Sequence, residues 1–552
     1  VEAAIGRRPV RHLAVIVSVN PGGVGAVFAR RYPGAQVHVL HHTRGRAAPR
    51  STRWRVTIHR TPTVNAMHKA LSAMPPVQVL VEATVNERVK PATLRNLLFH
   101  VEDGGLYIID GLRDPGPDGG SEPDVWATLR RMLEVKADPA RTDLRPDERF
   151  RSDAIDDVSY DRHVITVRKA GVHALKVHDP DADAVLSGRL GPRWGRVIDT
   201  REPVSGAVRG RAQANKLQET FRTAMPVPRM YLREYRDVVC APRQLAVQGD
   251  VLLPVSFHHG LRERLQTRSP LVSPTDTHFT VLDPSLTRAE PLPGVYYHLD
   301  SEFPGHFGHF MTEDIAKLWG LKQARAAHPD MKILLSTLQP GGEPSTVQRT
   351  LLAAWGVAPT DIVCIDRPVR VDTLIGCTQM FYNGIYVHPE MHEIWGRLRE
   401  GLRTPAADRR PSPRRIFVTR PPDALRPCRN GPEVEALFAE HDFEIVRPES
   451  LTIREQVDLF ADAEVVAGFG GSGMFNAVYC TRPGRRIVIS SDRYIARNEW
   501  AISAAKGDDY HHFFGEAELR PGDTTAKWRV FQSPFSFDFA RDGAALRALL
   551  QD

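Results

Sequence analysis

The stretch Ala463–Cys480, AEVVAGFGGSGMFNAVYC, decides the fold of the C-terminal part of this chain. Val465 and Val466 lie in a short apolar run that predicts a buried strand ending at Gly468. A glycine-rich turn follows, and Met474–Tyr479 resumes an apolar pattern of helical length. Strand, glycine turn and helix together direct unpaired backbone N–H groups and the positive end of a helix dipole at an anion. The alternative is an ordinary corner of a parallel sheet, in which glycine only permits the turn.

The same alternation of strands and helices recurs along the chain. Apolar runs such as LAVIVSV (13–19), VQVLVEA (77–83) and IVISS (487–491) are separated by helical patterns and glycine turns. This alternation predicts an α/β protein with open parallel sheets of Rossmann type. Residues 163–255 instead alternate apolar and polar positions over short lengths, which indicates β-hairpins. Within this region, Ala212–Thr223 is interpreted as an isolated helix.

The length of the chain and its Pro- and Gly-rich stretches predict four regions. A chain of 552 residues exceeds what one core usually supports. Pro, Gly and charged residues are frequent from Asp114 to Pro146 and again over Thr404–Pro413, which indicates a domain boundary and a linker. We expect an N-terminal Rossmann module at 1–150, a β-rich connecting region at 151–250, and two further Rossmann-like halves at 251–408 and 409–552.

Composition restricts the partners and the compartment. The net charge of +7, with 73 Lys and Arg, suits anionic substrates or peripheral contact with an anionic membrane face. No long basic run with interleaved aromatic residues indicates nucleic acid. Five cysteines without CxxC spacing predict neither a disulfide framework nor a zinc site, which favours a reducing, cytoplasmic location. No signal peptide is evident at Val1, and no apolar run reaches the length of a membrane span.

Three separated motifs carry a family resemblance. They are HFMTED at His309–Asp314, RRIFVTR at 414–420 followed by Arg426, Asn430 and Glu433, and the stretch 444–479 that contains the glycine turn. In this order and spacing, residues 232–515 resemble glycosyltransferase family 61, whose members are inverting enzymes. The resemblance implies a GT-B pair of Rossmann-like halves, a nucleotide-sugar donor such as a UDP-sugar, and a hydroxyl acceptor on a cell-surface or capsular glycan. No DxD motif is evident, which is consistent with a mechanism that needs no metal and no other cofactor.

The first motif supplies the candidate catalytic residues. His309 and Glu313 are four positions apart, so both side chains lie on one helix face. We expect Glu313 to deprotonate the acceptor hydroxyl if partial burial raises its pKa, with His309 orienting it or serving as the base instead. Asp314 is a further acid at the helix start, and His306 and Phe307 are expected on the acceptor side. The alternative is that His309 and Glu313 form only a helix-start pair.

The second and third motifs supply the candidate donor site. Arg420 ends a strand at the edge where α/β sheets bind ligands, and a guanidinium offers paired donors to a diphosphate. Arg426 is expected to act in the same way, because the leaving nucleotide develops negative charge. The alternative for each arginine is a surface ion pair. The remaining predicted donor-binding residues are Asn430, Gly470, Gly471, Ser472, Gly473 and Asn476.

The N-terminal region carries a second resemblance. The turn Asn20–Gly25 and the segment Leu97–Leu112 are similar to class I S-adenosylmethionine methyltransferases over about residues 10–130. That resemblance implies a carboxylate after the second strand to hold the ribose, but this chain has His41 and His42 there. An imidazole cannot accept two hydroxyl hydrogen bonds as a carboxylate does. We therefore expect a degenerate module that does not bind S-adenosylmethionine. A bifunctional glycosyltransferase and methyltransferase, and a non-catalytic scaffold for glycan synthesis, remain the alternatives.

Overall fold

The fold is that of a computed structural model, which describes the chain apart from residues 7, 44–54, 112–124, 139, 162, 207, 410–412, 422, 521–526 and 552. The predicted boundary near Asp114 and part of the linker over 404–413 lie outside the described residues. The described strands form three large sheets and a two-stranded ribbon, with helices packed on them. The predicted α/β class is confirmed. Over the described residues, no helix combines the length and apolarity that crossing a bilayer demands.

The N-terminal sheet has the order β3-β2-β1-β4-β5-β7-β6. Its first five strands in this order run parallel, and β7 is antiparallel to both of its neighbours. Because β6 and β7 hydrogen-bond into this sheet, it continues to Lys169, past the boundary expected at residue 150. The strands are β1 (His12–Val17), β2 (Gln36–His41), β3 (Val56–Arg60), β4 (Val77–Ala83), β5 (Val101–Ile109), β6 (Ile155–Asp161) and β7 (Val164–Lys169).

The rest of the chain contributes nineteen strands among the described residues. They are β8 (Ala174–Lys176), β9 (Gly195–Arg201), β10 (Arg211–Ala214), β11 (Met230–Ala241), β12 (Leu245–Gln248), β13 (Val251–Leu252), β14 (Phe279–Thr280), β15 (Glu290–His298), β16 (Lys332–Ser336), β17 (Ile362–Ile365), β18 (Val369–Cys377), β19 (Phe381–Tyr382), β20 (Tyr386–Val387), β21 (Arg415–Val418), β22 (Glu444–Val446), β23 (Val465–Phe469), β24 (Arg485–Ser491), β25 (Asp509–Ala517) and β26 (Phe535–Ser536).

The central and C-terminal sheets correspond to the two Rossmann-like halves. The central sheet has the order β14-β8-β13-β12-β11-β18-β15-β16-β17, and β18, β15, β16 and β17 form its parallel part. The C-terminal sheet has the parallel order β10-β25-β24-β23-β21-β22. Ligands of such sheets bind at the carboxyl ends of the strands, which are the ends that precede the His309 and Gly470 segments.

The expected connecting region does not fold by itself. Its strands β8, β9, β11 and β12 join the central sheet, whereas β10 pairs with β25 of the C-terminal sheet. The interpretation of Ala212–Thr223 as a helix is wrong. Arg211–Ala214 is an edge strand, and only Gln218–Thr220 forms a short 3₁₀ turn. Pairing with a distant strand has overridden the local helical pattern.

The α-helices pack on and between these sheets. They are α1 (Glu2–Ile5), α2 (Pro21–Arg31), α3 (Val64–Ser72), α4 (Lys90–Leu97), α5 (Val125–Ala137), α6 (Pro146–Asp153), α7 (Ala182–Leu190), α8 (Phe307–His309), α9 (Leu321–Ala327), α10 (Thr346–Trp355), α11 (Met391–Leu402), α12 (Gly431–Ala439), α13 (Ile453–Ala461), α14 (Asn498–Lys506), α15 (Lys527–Phe531) and α16 (Phe539–Gln551).

One hydrophobic core joins the two Rossmann-like halves. It contains Met311 and Ile315, which follow β15 of the central sheet, and Val466, Met474 and Tyr479 of the C-terminal half. All five are buried. Burial of apolar side chains from both halves in one cluster stabilises their contact by about 25 cal/mol for each Å² of apolar surface removed from water. The carboxyl edges of the two sheets are therefore held in a fixed relation.

A histidine cluster lies where the N-terminal and central sheets share a second core. The ring of His68 on α3 stacks on that of His278 with centroids 3.9 Å apart, and its Nδ1 lies 2.9 Å from Nε2 of His100. Burial, aided by the nearby charge of Arg264, lowers the pKa of His278 to about 3. Burial also lowers the pKa of His68 and of His100 well below its usual value. These rings are therefore neutral at neutral pH.

This cluster predicts acid sensitivity. Each pKa falls on folding, so the stabilisation is complete above the unfolded value of 6.5 and is lost as the pH falls from there towards about 3. We expect the free energy of unfolding to fall by about 1.4 kcal/mol per pH unit for each such histidine. His278→Phe retains a stacking ring but cannot be protonated, so it should give a shallower slope. Denaturant titrations from neutral pH to about pH 5 measure this.

The control for this prediction is His163→Gln, because the His163 side chain is exposed and lies outside the cluster. Its slope should equal that of the unmodified protein. Identical slopes for all three proteins would contradict the role assigned to the buried rings.

Candidate active site

The helix that carries His309 and Glu313 begins directly against the glycine turn of the other half. After β15, a loop leads into α8, which continues without a break as a π-helical turn at Phe310–Asp314 and then as 3₁₀ and α-helix to Ala327. A Cβ added to Gly308 would lie 3.0 Å from Cβ of Ser472 and 3.2 Å from the ring of Phe475. The helix start and the turn therefore lie in contact, and π-helical turns are frequent at functional sites.

Two imidazoles converge on one buried carboxylate. His309 Nδ1 lies 2.9 Å from Oε2 of Glu313, and His258 Nδ1 lies 3.0 Å from the same oxygen. Glu313 is only 1% exposed, whereas the His309 side chain keeps 24% of its surface accessible. The His309 ring also stacks on Phe303, with centroids 3.9 Å apart and planes inclined by 9°. His309 and Glu313 therefore make the contact that their spacing predicted, and His258 contacts the same carboxylate oxygen.

These hydrogen bonds set the charge of Glu313. Burial by itself would raise the pKa of the carboxyl, but the hydrogen bonds from His258 and His309 outweigh burial and lower the pKa to about 2. The pKa of Glu313 is therefore not raised overall, so the condition under which Glu313 was expected to act as the base is not met. A carboxylate that stays ionised at this pKa is a weak base near neutral pH, and it is suited to orienting an imidazole.

The other predicted residues of this segment have different surroundings. Asp314 is buried beside Lys317 and Ser301, and burial raises its pKa well above the usual range, which favours the protonated acid. It does not join the His309–Glu313 pair. His306 is exposed and caps the helix, its Nδ1 accepting from the His309 N–H at 3.4 Å. Phe307 packs against the core shared by the two halves, so only His306 of the two expected acceptor-side residues faces solvent.

The glycine turn connects β23 to a 3₁₀ helix over Ser472–Tyr479. The Gly470 N–H donates to Ile489 O at 2.9 Å, and the Gly471 N–H donates to Glu499 Oε1 at 2.8 Å. The backbone N–H groups of Ser472 and Gly473 have no acceptor among the described residues, as is usual for the first turn of a helix. Two of the four expected turn residues therefore offer free donors.

Two arginines surround this turn. Arg420 Nη1 donates to Gly470 O at 2.8 Å, and a Cβ on Gly471 would lie 3.0 Å from that nitrogen and 3.6 Å from Arg426 Nη2. Burial and the neighbouring Arg426 charge lower the pKa of Arg420. The Arg426 guanidinium lies 4.6 Å from the ring of Tyr494. Because two cations lie together here without a carboxylate ion pair among the described residues, the turn favours an anionic ligand.

The two predicted asparagines serve the fold. Asn430 donates from Nδ2 to Phe537 O and accepts the Phe537 N–H on Oδ1, both at 2.9 Å, so its amide is already engaged. Asn476 is fully buried and donates to Gly473 O at 3.1 Å, which holds the turn from behind. Both amide groups already form hydrogen bonds with the chain's own backbone, so neither is placed to contact a nucleotide-sugar donor.

Two residues of the site were missed from the sequence. His258 follows Phe257 in a segment with no recognisable motif, and only the His258-His259 pair could have attracted attention. Glu499 accepts from the Gly471 N–H and from Tyr494 Oη, the latter at 2.9 Å, and lies in a helix that carried no predicted role. Each contacts a residue far away in the sequence, so a motif of fixed short spacing could not have revealed it.

The histidine–carboxylate group also has the composition of a metal site. One ligand atom from each of His258, His309 and Glu313 lies within 4.8 Å of the others. Nitrogen and carboxylate ligands of this kind suit Zn²⁺ and similar cations. The same atoms already satisfy one another by hydrogen bonds, so the geometry has an explanation without an ion. That no metal is needed stays a prediction.

Comparisons with known proteins address both parts of the chain. The model of a family described as Glycosyltransferase 61 matches residues 307–488. No curated protein matches the chain. Solved methyltransferases with Rossmann folds are similar to its N-terminal region.

Three of these structures have low similarity. MycE methyltransferase from the mycinamycin biosynthetic pathway is 14% identical, with a TM-score of 0.25, over 30% of this chain and 46% of that chain. The antibiotic-resistance methyltransferase Kmr is 16% identical, with a TM-score of 0.20, over 29% of this chain and 86% of that chain. Human N-acetylserotonin methyltransferase is 14% identical, with a TM-score of 0.18, over 29% of this chain and 48% of that chain. The chain thus spans about half the length of the first of these methyltransferases.

The family match contains the histidine–carboxylate pair, both arginines and the glycine turn. The match of residues 307–488 to this family model supports a glycosyltransferase.

Proposed function

We propose that this protein transfers a sugar, with inversion, from a nucleotide-sugar donor such as a UDP-sugar to a hydroxyl of a glycan. The observation that carries the proposal is the contact between Gly308 and Ser472, which sets an imidazole–carboxylate pair beside a cationic turn. Inverting transfer needs a base on one side of the anomeric carbon and charge neutralisation on the other. The two halves of this site supply those two functions.

His309 is the proposed base. Its Nδ1–H donates to Glu313, and in the neutral imidazole this leaves the other ring nitrogen, Nε2, as the proton acceptor. As the acceptor oxygen bonds to the anomeric carbon, the bond from that carbon to the diphosphate oxygen breaks. The hydroxyl proton moves to Nε2, and the Glu313 carboxylate stabilises the imidazolium that results. His258 helps to hold Glu313 ionised.

The leaving diphosphate is proposed to bind at the glycine turn. Arg420 and Arg426 neutralise its charge, and the N–H groups of Ser472 and Gly473 donate to its oxygens. Burial strengthens these interactions, because the effective dielectric constant is lower than in water. The core that joins the two halves fixes the donors before the substrate arrives.

Substitutions test which residue is the base. His309→Ala should lower the rate of UDP release in the presence of acceptor by about a hundredfold or more, since general bases contribute that much. UDP affinity, measured by calorimetry, should not change. Transfer that His309→Ala leaves unchanged would refute the assignment of His309 as the base.

Two acid variants complete this test. Glu313→Gln should also collapse transfer while leaving UDP binding intact, because a neutral amide cannot stabilise the imidazolium. Asp314→Asn should retain transfer, because Asp314 does not contact the two histidines and burial favours its neutral form. Equal turnover by Glu313→Gln would remove Glu313 from the mechanism.

A pair of arginine variants tests the donor site. Arg420→Met should weaken UDP binding by about tenfold to a hundredfold, the effect expected for losing charge-assisted hydrogen bonds. Arg429→Met is the matched control, because Arg429 is paired on the surface with Glu518 at 2.6 Å. Calorimetry with UDP on both variants gives the comparison. Equal loss in both, or no loss in Arg420→Met, would refute the assignment.

The N-terminal module is proposed to have no methyl-transfer role. At the carboxyl end of β1, Asn20 accepts the Gly23 N–H on its own side chain at 3.1 Å. At the end of β2, His41 Nε2 lies 3.2 Å from Ser18 O and donates to it. These residues bond to the chain itself in the crevice where a dinucleotide or S-adenosylmethionine would bind. They do not fit a ribose.

A buried lysine closes the same edge of the sheet. The Lys90 side chain is fully buried, and its Nζ donates to Asp110 O at 3.0 Å and to Gly111 O at 3.2 Å, just after β5. A cation that is bonded to backbone carbonyls in this way cannot move aside without leaving those carbonyls unsatisfied.

Calorimetry tests the cofactor directly. Titration of the full chain with S-adenosylmethionine or S-adenosylhomocysteine should give no binding heat, while UDP binds to the same preparation. Saturable binding of either compound in the micromolar range would favour the bifunctional alternative.

A further inference from the structure

The N-terminal module has a pocket rich in arginine, separate from the site at His309. It lies between α4, α5 and α6, with a volume of about 290 Å³, and Met132 and Val135 contribute apolar surface to it. Glu148 is the one carboxylate among its described lining residues. Four guanidinium groups line the pocket, those of Arg95, Arg131, Arg145 and Arg151.

The carboxylates near this pocket are already engaged. Glu148 Oε1 accepts from Arg131 Nε at 3.2 Å and from Nη2 at 3.0 Å, and Oε2 accepts the Arg145 N–H at 3.2 Å. Asp147 accepts from Arg151 Nη1 at 2.6 Å. Among the described residues, two carboxylates therefore face four guanidiniums, which leaves an excess of positive charge on that part of the pocket lining.

Arg95 has no carboxylate partner among the described residues. Its one described hydrogen bond runs from Nη1 to Thr128 Oγ1 at 3.4 Å, which is long for a charged donor. Burial, and then the Arg151 charge, lower the pKa of Arg95. Arginine nevertheless stays protonated at all ordinary pH values. Its remaining N–H groups therefore have no acceptor in the part of the chain that the structure describes, and they lie in a partly buried pocket.

We propose that this pocket binds the phosphate or pyrophosphate group of a small soluble ligand. The planar fork of Arg95 matches two phosphate oxygens, and the excess charge of the other three arginines attracts the anion. Thr128 adds a hydroxyl, and the apolar surface of Met132 and Val135 accommodates the organic part attached to the phosphate. Nothing in the proposed glycosyl transfer uses these residues.

Pyrophosphate is the probe for this site. The full chain is titrated by calorimetry at constant ionic strength, with Arg420→Met carried in every sample so that the glycine turn does not dominate the heat. We expect saturable binding that Arg95→Gln weakens by about tenfold or more. Arg130→Gln is the matched control, because Arg130 is exposed on α5 and does not line the pocket.

The outcomes separate the alternatives. Absence of binding, or equal weakening by Arg95→Gln and Arg130→Gln, overturns the proposal, as does equal competition by chloride, which would mean an adventitious ion only. Should Arg95→Gln fail to fold, Arg145→Gln tests the same pocket, because that side chain is largely exposed. Loss of glycosyl transfer in other variants does not affect this result, since the readout is binding at Arg95.

Discussion

The close approach of the catalytic helix to the glycine turn is the constraint on which the candidate site depends. At Gly308 even one additional carbon would lie 3.0 Å from Cβ of Ser472. Contacts this short are rare for a Cβ, so a larger residue here would push the helix start and the turn apart by a few tenths of an ångström. This contact places His309, which follows a strand of the central sheet, beside the glycine turn, which follows a strand of the C-terminal sheet and is held by Arg420.

Charge is divided between the two sides of this contact. On the helix side the Glu313 carboxylate is buried, and two imidazole N–H groups compensate it. On the turn side Arg420 and Arg426 lie together with no carboxylate ion pair among the described residues. A buried charge is costly unless it is paired or a ligand completes it. The Glu313 carboxylate is thus compensated at Oε2 by groups of the protein, whereas neither arginine forms an ion pair among the described residues, and an anionic ligand would supply one.

Parts of this site could be predicted from local spacing, and others could not. The spacing of His309 and Glu313 and the glycines after Phe469 are short-range patterns, and the structure retains both. His258 reaches Glu313 from a distant segment, so no spacing rule could find it. Its hydrogen bond reverses the predicted direction of the Glu313 pKa, because burial was inferable from the sequence and the second imidazole was not. The segment from Ala212 shows the same limit of local patterns. It was predicted to be helical, but Arg211–Ala214 forms strand β10 by pairing with β25, which lies about 300 residues later in the chain.

The connecting region explains how the two halves keep their contact. It supplies β9 to the central sheet and β10 to the C-terminal sheet, so one segment is hydrogen-bonded to both. Between β10 and β11, Thr220 Oγ1 accepts from Arg497 at 3.0 Å, and Arg222 O accepts from Trp500 at 3.1 Å. Wide separation of the sheets would break these bonds and expose the core between the halves. Substrate entry should therefore depend on local movement of loops, because the connecting region and the shared core oppose separation of the two halves as rigid bodies.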